Sequence, residues 1–214
     1  MSARARIDES TLTLVLDIRH PFAYLALEPA IEFAHSRDLA INWLPLQGKV
    51  LKPPSSPGPE DDRGILHRRS RAQMIAREVE TYAAAQGLTL VDYYRETDAM
   101  AVHLGWLFLR EFSGEWLEAY LRAVFRSYWA GDLAPEDFEA VALIVERVGG
   151  NAAAFRAWSD EEGPVVVAEI AKDLASRGVT GVPGYLVQGE FFQGRQHLPM
   201  IAWILDGRSG PGPI

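Results

Sequence analysis

The sequence contains no cysteine among its 214 residues. Without a thiol the chain cannot carry out dithiol redox chemistry, form a disulfide bond or hold a metal through thiolates. The sequence also lacks any apolar run near the roughly 18–20 residues that a membrane-spanning helix needs, and its first eleven residues are polar and of mixed charge. The histidines have no metal-ligand spacing. We therefore expect a cytoplasmic protein that carries no metal and does not insert into a membrane.

Concentrated positive charge is scarce as well. The net charge is −8, and most basic residues are scattered among acidic ones. The one basic cluster, residues 67–71, follows the acidic residues 60–62 along the chain. A protein that binds nucleic acid usually presents a continuous basic surface. We therefore expect no nucleic acid as a partner, and a small-molecule substrate is the default.

The first part of the chain reads as a strand, a helix and a second strand. Residues 12–18 are rich in β-forming side chains and too short for a helix, which predicts a buried strand. Pro21 suits the first position of a helix, so His20 is its predicted cap residue. Pro29 inside the helical pattern predicts a kink or a break. The second strand follows at residues 40–45, and the whole unit has the length of a parallel βαβ crossover.

A long helical stretch follows a loop at residues 45–64 that is rich in proline and glycine. A loop of this length marks a domain boundary or a functional segment. The helices after it are separated by serine, glycine and asparagine capping or stop signals. They are predicted at residues 65–86, 98–112, 115–129, 135–148, 151–158 and 164–177.

The last part of the chain reads as a β-hairpin followed by a helix. Pro183 cannot donate to a sheet ladder, so it must precede a strand. Short apolar strands at residues 185–187 and 190–192 flank a turn, and a final helix is predicted at 197–205. The Val182–Pro183 bond is a candidate for a cis peptide, although only about 5–6% of X-Pro bonds in folded proteins are cis.

This order of elements places helices between a βαβ half and a ββα half. It is the layout of a thioredoxin-like fold with an all-helical insertion, which is one option among several α/β arrangements. On that reading the chain is an α/β protein whose thioredoxin-like domain comprises residues 11–50 and 178–206. The inserted helical domain spans residues 63–177, and residues 207–214 form a flexible tail.

Two motifs carry a family resemblance. Residues 17–26 read Asp-Ile-Arg-His-Pro-Phe-Ala-Tyr-Leu-Ala and resemble the opening of the 2-hydroxychromene-2-carboxylate isomerases. These belong with the kappa-class glutathione transferases in the DsbA-like thioredoxin superfamily. Residues 178–183 and 189–194 resemble the Gly-Val-Pro segment and hairpin of the same family. The resemblance extends over nearly the whole chain, with the motifs in the family's order.

The resemblance implies a glutathione site in which this sequence keeps one element and changes three. The backbone of Val182, before a cis Pro183, would pair with the cysteinyl backbone of glutathione like an added strand. The family's thiol-activating serine corresponds to His20. Its Ser-Asp or Asn-Asp pair, which holds the γ-glutamyl end, corresponds to residues 195–196, which are Arg and Gln. The asparagine of its Pro-Pro loop corresponds to Leu51.

His20 has the chemistry to take over the role of the serine. The positive end of the helix dipole should keep its imidazole neutral near pH 7. A neutral imidazole can accept the thiol proton or donate a hydrogen bond to the thiolate. Arg19 and Arg195, which flank the predicted site, would suit an anionic ligand if they are not simply solvated. The predicted binding residues are Arg19, Phe22, Val182, Pro183, Arg195 and Gln196.

Two functions remain open. The first is an isomerase or transferase of the 2-hydroxychromene-2-carboxylate isomerase type, which uses glutathione or another small thiol on small aromatic-derived substrates. The second is a non-catalytic thioredoxin-fold binding protein that has lost glutathione. An open cleft with His20 facing Pro183 would favour the enzyme, whereas a cleft filled by Leu51 or Phe22 would favour the binding protein. The family resemblance also implies a homodimer.

Overall fold

A four-stranded sheet forms the centre of residues 12–56, 58 and 62–213, which are the residues described by the computed structural model. Its strands are β1 (Leu12–Leu16), β2 (Ile41–Pro45), β3 (Gly184–Val187) and β4 (Glu190–Gln193). They lie in the order β2-β1-β3-β4. Strands β1 and β2 are parallel, and the other two pairs are antiparallel. All five residues of β1 are buried, as expected for a central strand.

The register of the sheet fixes which loops meet. Val15 lies opposite Gly184 in the antiparallel pair of β1 and β3. Because these strands run in opposite directions, the residues that follow β1 lie at the same end of the sheet as those that precede β3. Residues 17–20 and residues 182–183 are thereby brought together, although more than 160 positions separate them in the sequence.

The described chain contains eight α-helices. They are α1 (Pro21–Ser36), α2 (Arg63–Ala85), α3 (Met100–Arg110), α4 (Gly114–Ala130), α5 (Phe138–Arg147), α6 (Ala152–Glu161), α7 (Gly163–Ser176) and α8 (Leu198–Leu205). A 3-10 turn, Arg195–His197, leads into α8. The order is therefore βαβ, a block of helices, and ββα, as the sequence predicts. None of the helices in the described ranges is long and apolar enough to cross a membrane.

Helix α3 joins the helical block to the sheet. Trp106 on α3 is fully buried, and its Nε1 donates a hydrogen bond to the carbonyl of Trp43 in β2 at 3.2 Å. The neighbouring Gly105 lets α4 approach closely, because a Cβ there would lie 2.4 Å from the hydroxyl oxygen of Tyr120. That hydroxyl donates to the Val102 carbonyl at 2.8 Å. The sheet and the helical block therefore share one continuous core.

Two local predictions need correction. Helix α1 continues through Pro29, so of the predicted kink or break the break does not occur. Pro29 cannot donate to the carbonyl of Leu25, four residues earlier, and Gln86 Nε2 occupies that carbonyl instead at 3.1 Å. Strand β1 ends at Leu16 rather than at residue 18. The Asp17 carboxylate accepts the backbone N–H of Arg19, two residues further on, at 2.9 Å, and this contact forms a turn in place of the strand.

The ends of the predicted segments fall partly outside the described residues. Position 11 of the predicted thioredoxin-like domain, positions 57 and 59–61 of the long loop, and Ile214 of the predicted tail lie outside them. Within the remainder of that tail, the Gly210 carbonyl accepts a hydrogen bond from Trp203 Nε1 at 3.1 Å, so this segment folds back on α8. The proposed division into two domains stays a prediction.

Candidate functional site

A cleft of about 610 Å³ opens where the end of β1 meets the start of β3. Its walls come from four parts of the chain, namely the start of α1, the loop after β2, one face of α2 and the segments on either side of the hairpin. The lining residues are His20, Phe22, Leu51, Arg71, Met74, Ile75, Glu78, Val182, Pro183, Gln193, Gly194, Arg195 and Gln196. Several of them are exposed on the α2 and hairpin sides, so the cleft is open to solvent.

His20 lies at the N-terminal cap position of α1, but its side chain does not cap the helix. Its Nδ1 is buried and has no hydrogen-bond partner among the described residues. Burial lowers the pKa of His20 to about 4; the charge of Asp17 acts to raise it and that of Arg19 to lower it. The imidazole is therefore neutral at pH 7, as predicted, but burial contributes most to this state. The ring lines the cleft, so a neutral imidazole is available there for hydrogen bonding with a ligand.

The Val182–Pro183 peptide bond is cis, and Val182 is left with free backbone groups. The Pro183 carbonyl accepts the Gly194 N–H at 2.8 Å and closes the base of the hairpin. Neither the N–H nor the carbonyl of Val182 has a hydrogen-bond partner in the part of the chain that the structure describes. Its side chain is only 6% exposed, so the residue is held firmly. An extended peptide could pair with these groups as an added strand.

Arg19 does not reach this cleft. Its side chain is 6% exposed and forms a two-point ion pair with Asp17, at 3.0 Å from Nε to Oδ1 and 2.7 Å from Nη2 to Oδ2. The remaining donors reach the carbonyls of Thr97 at 3.1 Å and Gly48 at 2.9 Å. Because its donors serve three segments of the protein, we assign Arg19 a structural role and leave it out of the ligand site.

Arg195 lines the cleft and is held from α2. Its Cζ lies 3.4 Å from the centre of the Tyr82 ring, and its Nη2 lies 3.4 Å from Glu78 Oε1. The neighbouring Gln196 also lines the cleft and is exposed. Glu78 and Tyr82 escaped the sequence reasoning because they lie more than 110 positions before Arg195. Only their spacing of four residues, which puts them on one face of a helix, could have suggested a shared role.

Four other residues that line the cleft are apolar, and these are Phe22, Leu51, Met74 and Ile75. Phe22 lies beside His20, with their ring centres 5.8 Å apart, and Leu51 lines the cleft from the loop after β2. Met74 and Ile75 face them from α2, and Met74 is 61% exposed. The apolar side chains border the cleft without closing it. A ligand with an apolar body and polar ends would match this surface.

Six of the seven predicted site residues thus line one cleft, and these are His20, Phe22, Val182, Pro183, Arg195 and Gln196. The chemistry available there is hydrogen bonding by a neutral imidazole, strand-like backbone pairing and binding of charged groups. No group of three or more potential metal ligands occurs within residues 12–56, 58 and 62–213.

The βαβ and ββα halves, the cis proline and the cleft beside it define a thioredoxin-like protein. The profile of the DsbA-like thioredoxin domain matches residues 11–206, which is nearly the whole chain. The chain therefore belongs to the DsbA-like thioredoxin family, and the predicted fold is confirmed. A search of curated proteins finds no match to the sequence.

Three solved structures illustrate the fold. A 2-hydroxychromene-2-carboxylate isomerase is 22% identical, with a TM-score of 0.66 over 92% of this chain and 95% of its own. A probable DsbA oxidoreductase from Streptomyces coelicolor is 21% identical, with a TM-score of 0.67 over 95% and 93%. The cytosolic disulfide reductase DsbM from Pseudomonas aeruginosa, solved with GSH, is 16% identical, with a TM-score of 0.62 over 92% and 98%. At these identities the similarity shows the fold alone.

Proposed function

We propose that this protein is a glutathione- or small-thiol-dependent isomerase or transferase that acts on small aromatic-derived substrates. The observation that carries the proposal is the presence, in one open cleft, of a neutral His20 and of unpaired backbone groups on Val182. When bound, glutathione would supply the thiol nucleophile that this cysteine-free chain lacks. The similarity to an isomerase structure and to a reductase structure solved with GSH supports the choice of ligand.

The proposed role of Val182 is to bind the peptide part of the ligand. Its N–H would donate to a ligand carbonyl, and its carbonyl would accept a ligand N–H, as neighbouring strands do. Val182 and His20 lie at the same end of the sheet. A thiol held by this backbone pairing would therefore lie on the His20 side of the cleft. The firm burial of Val182 would orient the ligand before any chemistry begins.

The proposed role of His20 is to donate a hydrogen bond to the thiolate. An ordinary thiol has a pKa of about 8.5. A ring whose own pKa is about 4 is a poor base toward such a thiol, because the proton transfer would be strongly unfavourable. As a neutral donor in a partly dry cleft, the same ring can stabilise the thiolate once it forms. His20 is therefore assigned as the residue that keeps the bound sulfur ionised.

Calorimetry with glutathione, together with the ultraviolet absorbance of the bound thiolate, tests this function. We expect wild-type protein to bind glutathione and to show thiolate at pH 7. His20→Ala should retain weaker binding through Val182 but lose the thiolate signal. His35→Ala is the matched control, since His35 lies on the same helix with a side chain that is 62% exposed. Absence of binding at millimolar glutathione would reject the glutathione-dependent version of this function.

The substrate class requires a separate measurement. Incubation of the protein with glutathione and 2-hydroxychromene-2-carboxylate should give an absorbance change that depends on both the protein and the thiol. A change of the same rate with His20→Ala would show that this residue takes no part in the reaction. Persistent glutathione binding without turnover would indicate a different substrate or a binding role.

Assembly and location complete the proposal. We propose a homodimer located in the cytoplasm, in keeping with the family resemblance and with the absence of cysteine from the sequence. Light scattering of the purified chain measures the mass in solution directly, and a value equal to the 23.8 kDa of a single chain would reject the dimer. Fractionation of the cells that make the protein would test its location.

A further inference from the structure

Three charged side chains line the cleft, and two of them belong to α2. Arg71 and Glu78 are seven residues apart, about two helical turns, so they lie on the same face of α2. Arg195 approaches from the end of the hairpin. The other polar lining residues are uncharged at pH 7, including His20. The cleft therefore presents two cations and one anion on one side.

Glu78 is free to change partners. Its ion pair with Arg195 is long at 3.4 Å, and the two side chains are 42% and 21% exposed. Such pairs contribute little to stability. Arg195 is also stacked on Tyr82, so it keeps its place when the Glu78 carboxylate turns to another cation. Glu78 is thus an acceptor for a positively charged group in the cleft, with Arg195 beside it.

Arg71 is available for the opposite charge. It is exposed, lines the same cleft and makes no ion pair with any residue of the described chain. A guanidinium group binds a carboxylate through two parallel hydrogen bonds. Together with Glu78 it offers sites for one carboxylate and one ammonium on a single ligand. An α-amino-acid end group carries these two charges on one carbon atom.

We propose that Glu78 and Arg71 bind the ammonium and the carboxylate of an amino-acid end group, which in glutathione is the γ-glutamyl end. This inference rests on the proposed function, in which Val182 binds the cysteinyl part of the same molecule. The hairpin end has no acidic residue, because positions 195–196 are Arg and Gln. Helix α2 supplies the missing carboxylate from a different part of the chain.

Calorimetry with two ligands tests this assignment in the full chain. The probes are glutathione and its N-acetyl derivative, which lacks the ammonium charge. Wild-type protein should bind glutathione about tenfold or more tightly than the derivative, the size expected for a hydrogen bond between charged groups. Glu78→Gln should remove this preference by weakening glutathione alone. Arg71→Gln should weaken both ligands, because both keep the carboxylate.

The control is Glu80→Gln, which removes an exposed carboxylate from the same helix but outside the cleft. It should bind both ligands as wild-type protein does. Glu78→Asp keeps the charge and should retain part of the preference. If wild type and Glu78→Gln discriminate equally between the ligands, the role of Glu78 is rejected while the proposed function stands. If neither ligand binds to wild-type protein, both the inference and the glutathione function are rejected.

Discussion

The two walls of the cleft differ in how they are built. The inner wall, formed by His20, Val182 and Pro183, lies beside the end of β1 and the start of β3, two strands whose residues are all buried, and Val182 itself is 6% exposed. The outer wall is α2, a helix of 23 residues in which only Val79 and Ala83 are buried. The groups proposed to act on sulfur are thus held by the core of the fold. The groups proposed to select the ligand lie on a helix that buries few side chains against the core.

This difference separates two kinds of demand on one site. Chemistry at the thiol needs fixed positions, since small displacements of reacting groups cost much of the rate. Recognition of a ligand's end group tolerates more variation, and surface positions can change with little loss of stability. The arrangement explains why α2 can carry three exposed or half-exposed side chains that line the cleft, Arg71, Met74 and Glu78, without disturbing the sheet.

The largest effect is expected from the buried ion pair behind the inner wall. Arg19→Met would leave the carboxylate of Asp17 buried without its cation, and removal of one partner of a buried ion pair costs about 3–5 kcal/mol. We expect a corresponding decrease in the free energy of unfolding, measured by urea denaturation. Arg156→Met is the control, because it breaks an ion pair with Glu139 on the surface and should change little. Equal stability of the two variants would contradict the structural role of Arg19.

An effect of intermediate size is expected on the free energy of unfolding when the pH is lowered. Burial lowers the pKa of His103 to about 4; the charges of Asp17 and Asp98 raise it and that of Arg19 lowers it. The unfolded chain takes up this proton near pH 6.5, whereas the folded chain takes it up only near pH 4. Between these values the unfolded state binds more protons, so the protein loses up to about 1.4 kcal/mol per pH unit for this histidine as the pH falls.

His103→Leu isolates that contribution. The variant should show a shallower decrease in the free energy of unfolding between pH 6.5 and pH 4.5 than the wild type, whatever its stability at pH 7. His20, whose pKa is also about 4, would keep its own share of the slope. Parallel curves for the variant and the wild type would show that His103 takes up its proton equally in both states.

The smallest effect is expected from the outer wall. Met74 is 61% exposed on α2, so Met74→Gln should change the free energy of unfolding by less than about 0.5 kcal/mol. Val79→Ala, at a fully buried position on the same helix, should be clearly more damaging. Both values come from urea denaturation at one pH. A large decrease in the free energy of unfolding with Met74→Gln would mean that α2 is packed against the core more tightly than its exposed side chains imply.

Much of the fold could be predicted because its signals are local. Pro21 starts α1, and side chains of Asp62, Ser113, Asp137 and Asn151 cap four later helices. The Pro183 hairpin forms where a proline must precede a strand. Helix α1 passes through Pro29 without a break for a reason that no local pattern contains. The carbonyl that the proline leaves free is bound by Gln86, which lies 61 positions from Leu25.

The part of the site that is set by the meeting of strand ends could be predicted from the sequence. The part that depends on which side chains pair with one another could not. Once the sheet order is assumed, His20 and Val182 must lie close together. Arg19 could not be placed from its position alone, although a carboxylate two residues earlier, at Asp17, was a hint that it would be paired internally. Glu78 reaches Arg195 only after α2 has folded over the hairpin end, so no spacing in the sequence records the contact.

The tie at Gly48 has a practical consequence for redesign. Its N–H donates to Asp17 at 2.7 Å and its carbonyl accepts from Arg19 at 2.9 Å, so the loop after β2 is pinned by main-chain atoms. A Cβ at this position would come within 3.3 Å of Val182 Cγ2, which disfavours larger residues. A designer could therefore replace residues 49–56 together, to reshape the cleft around Leu51. Gly48 would be kept as the last unchanged residue before the new segment.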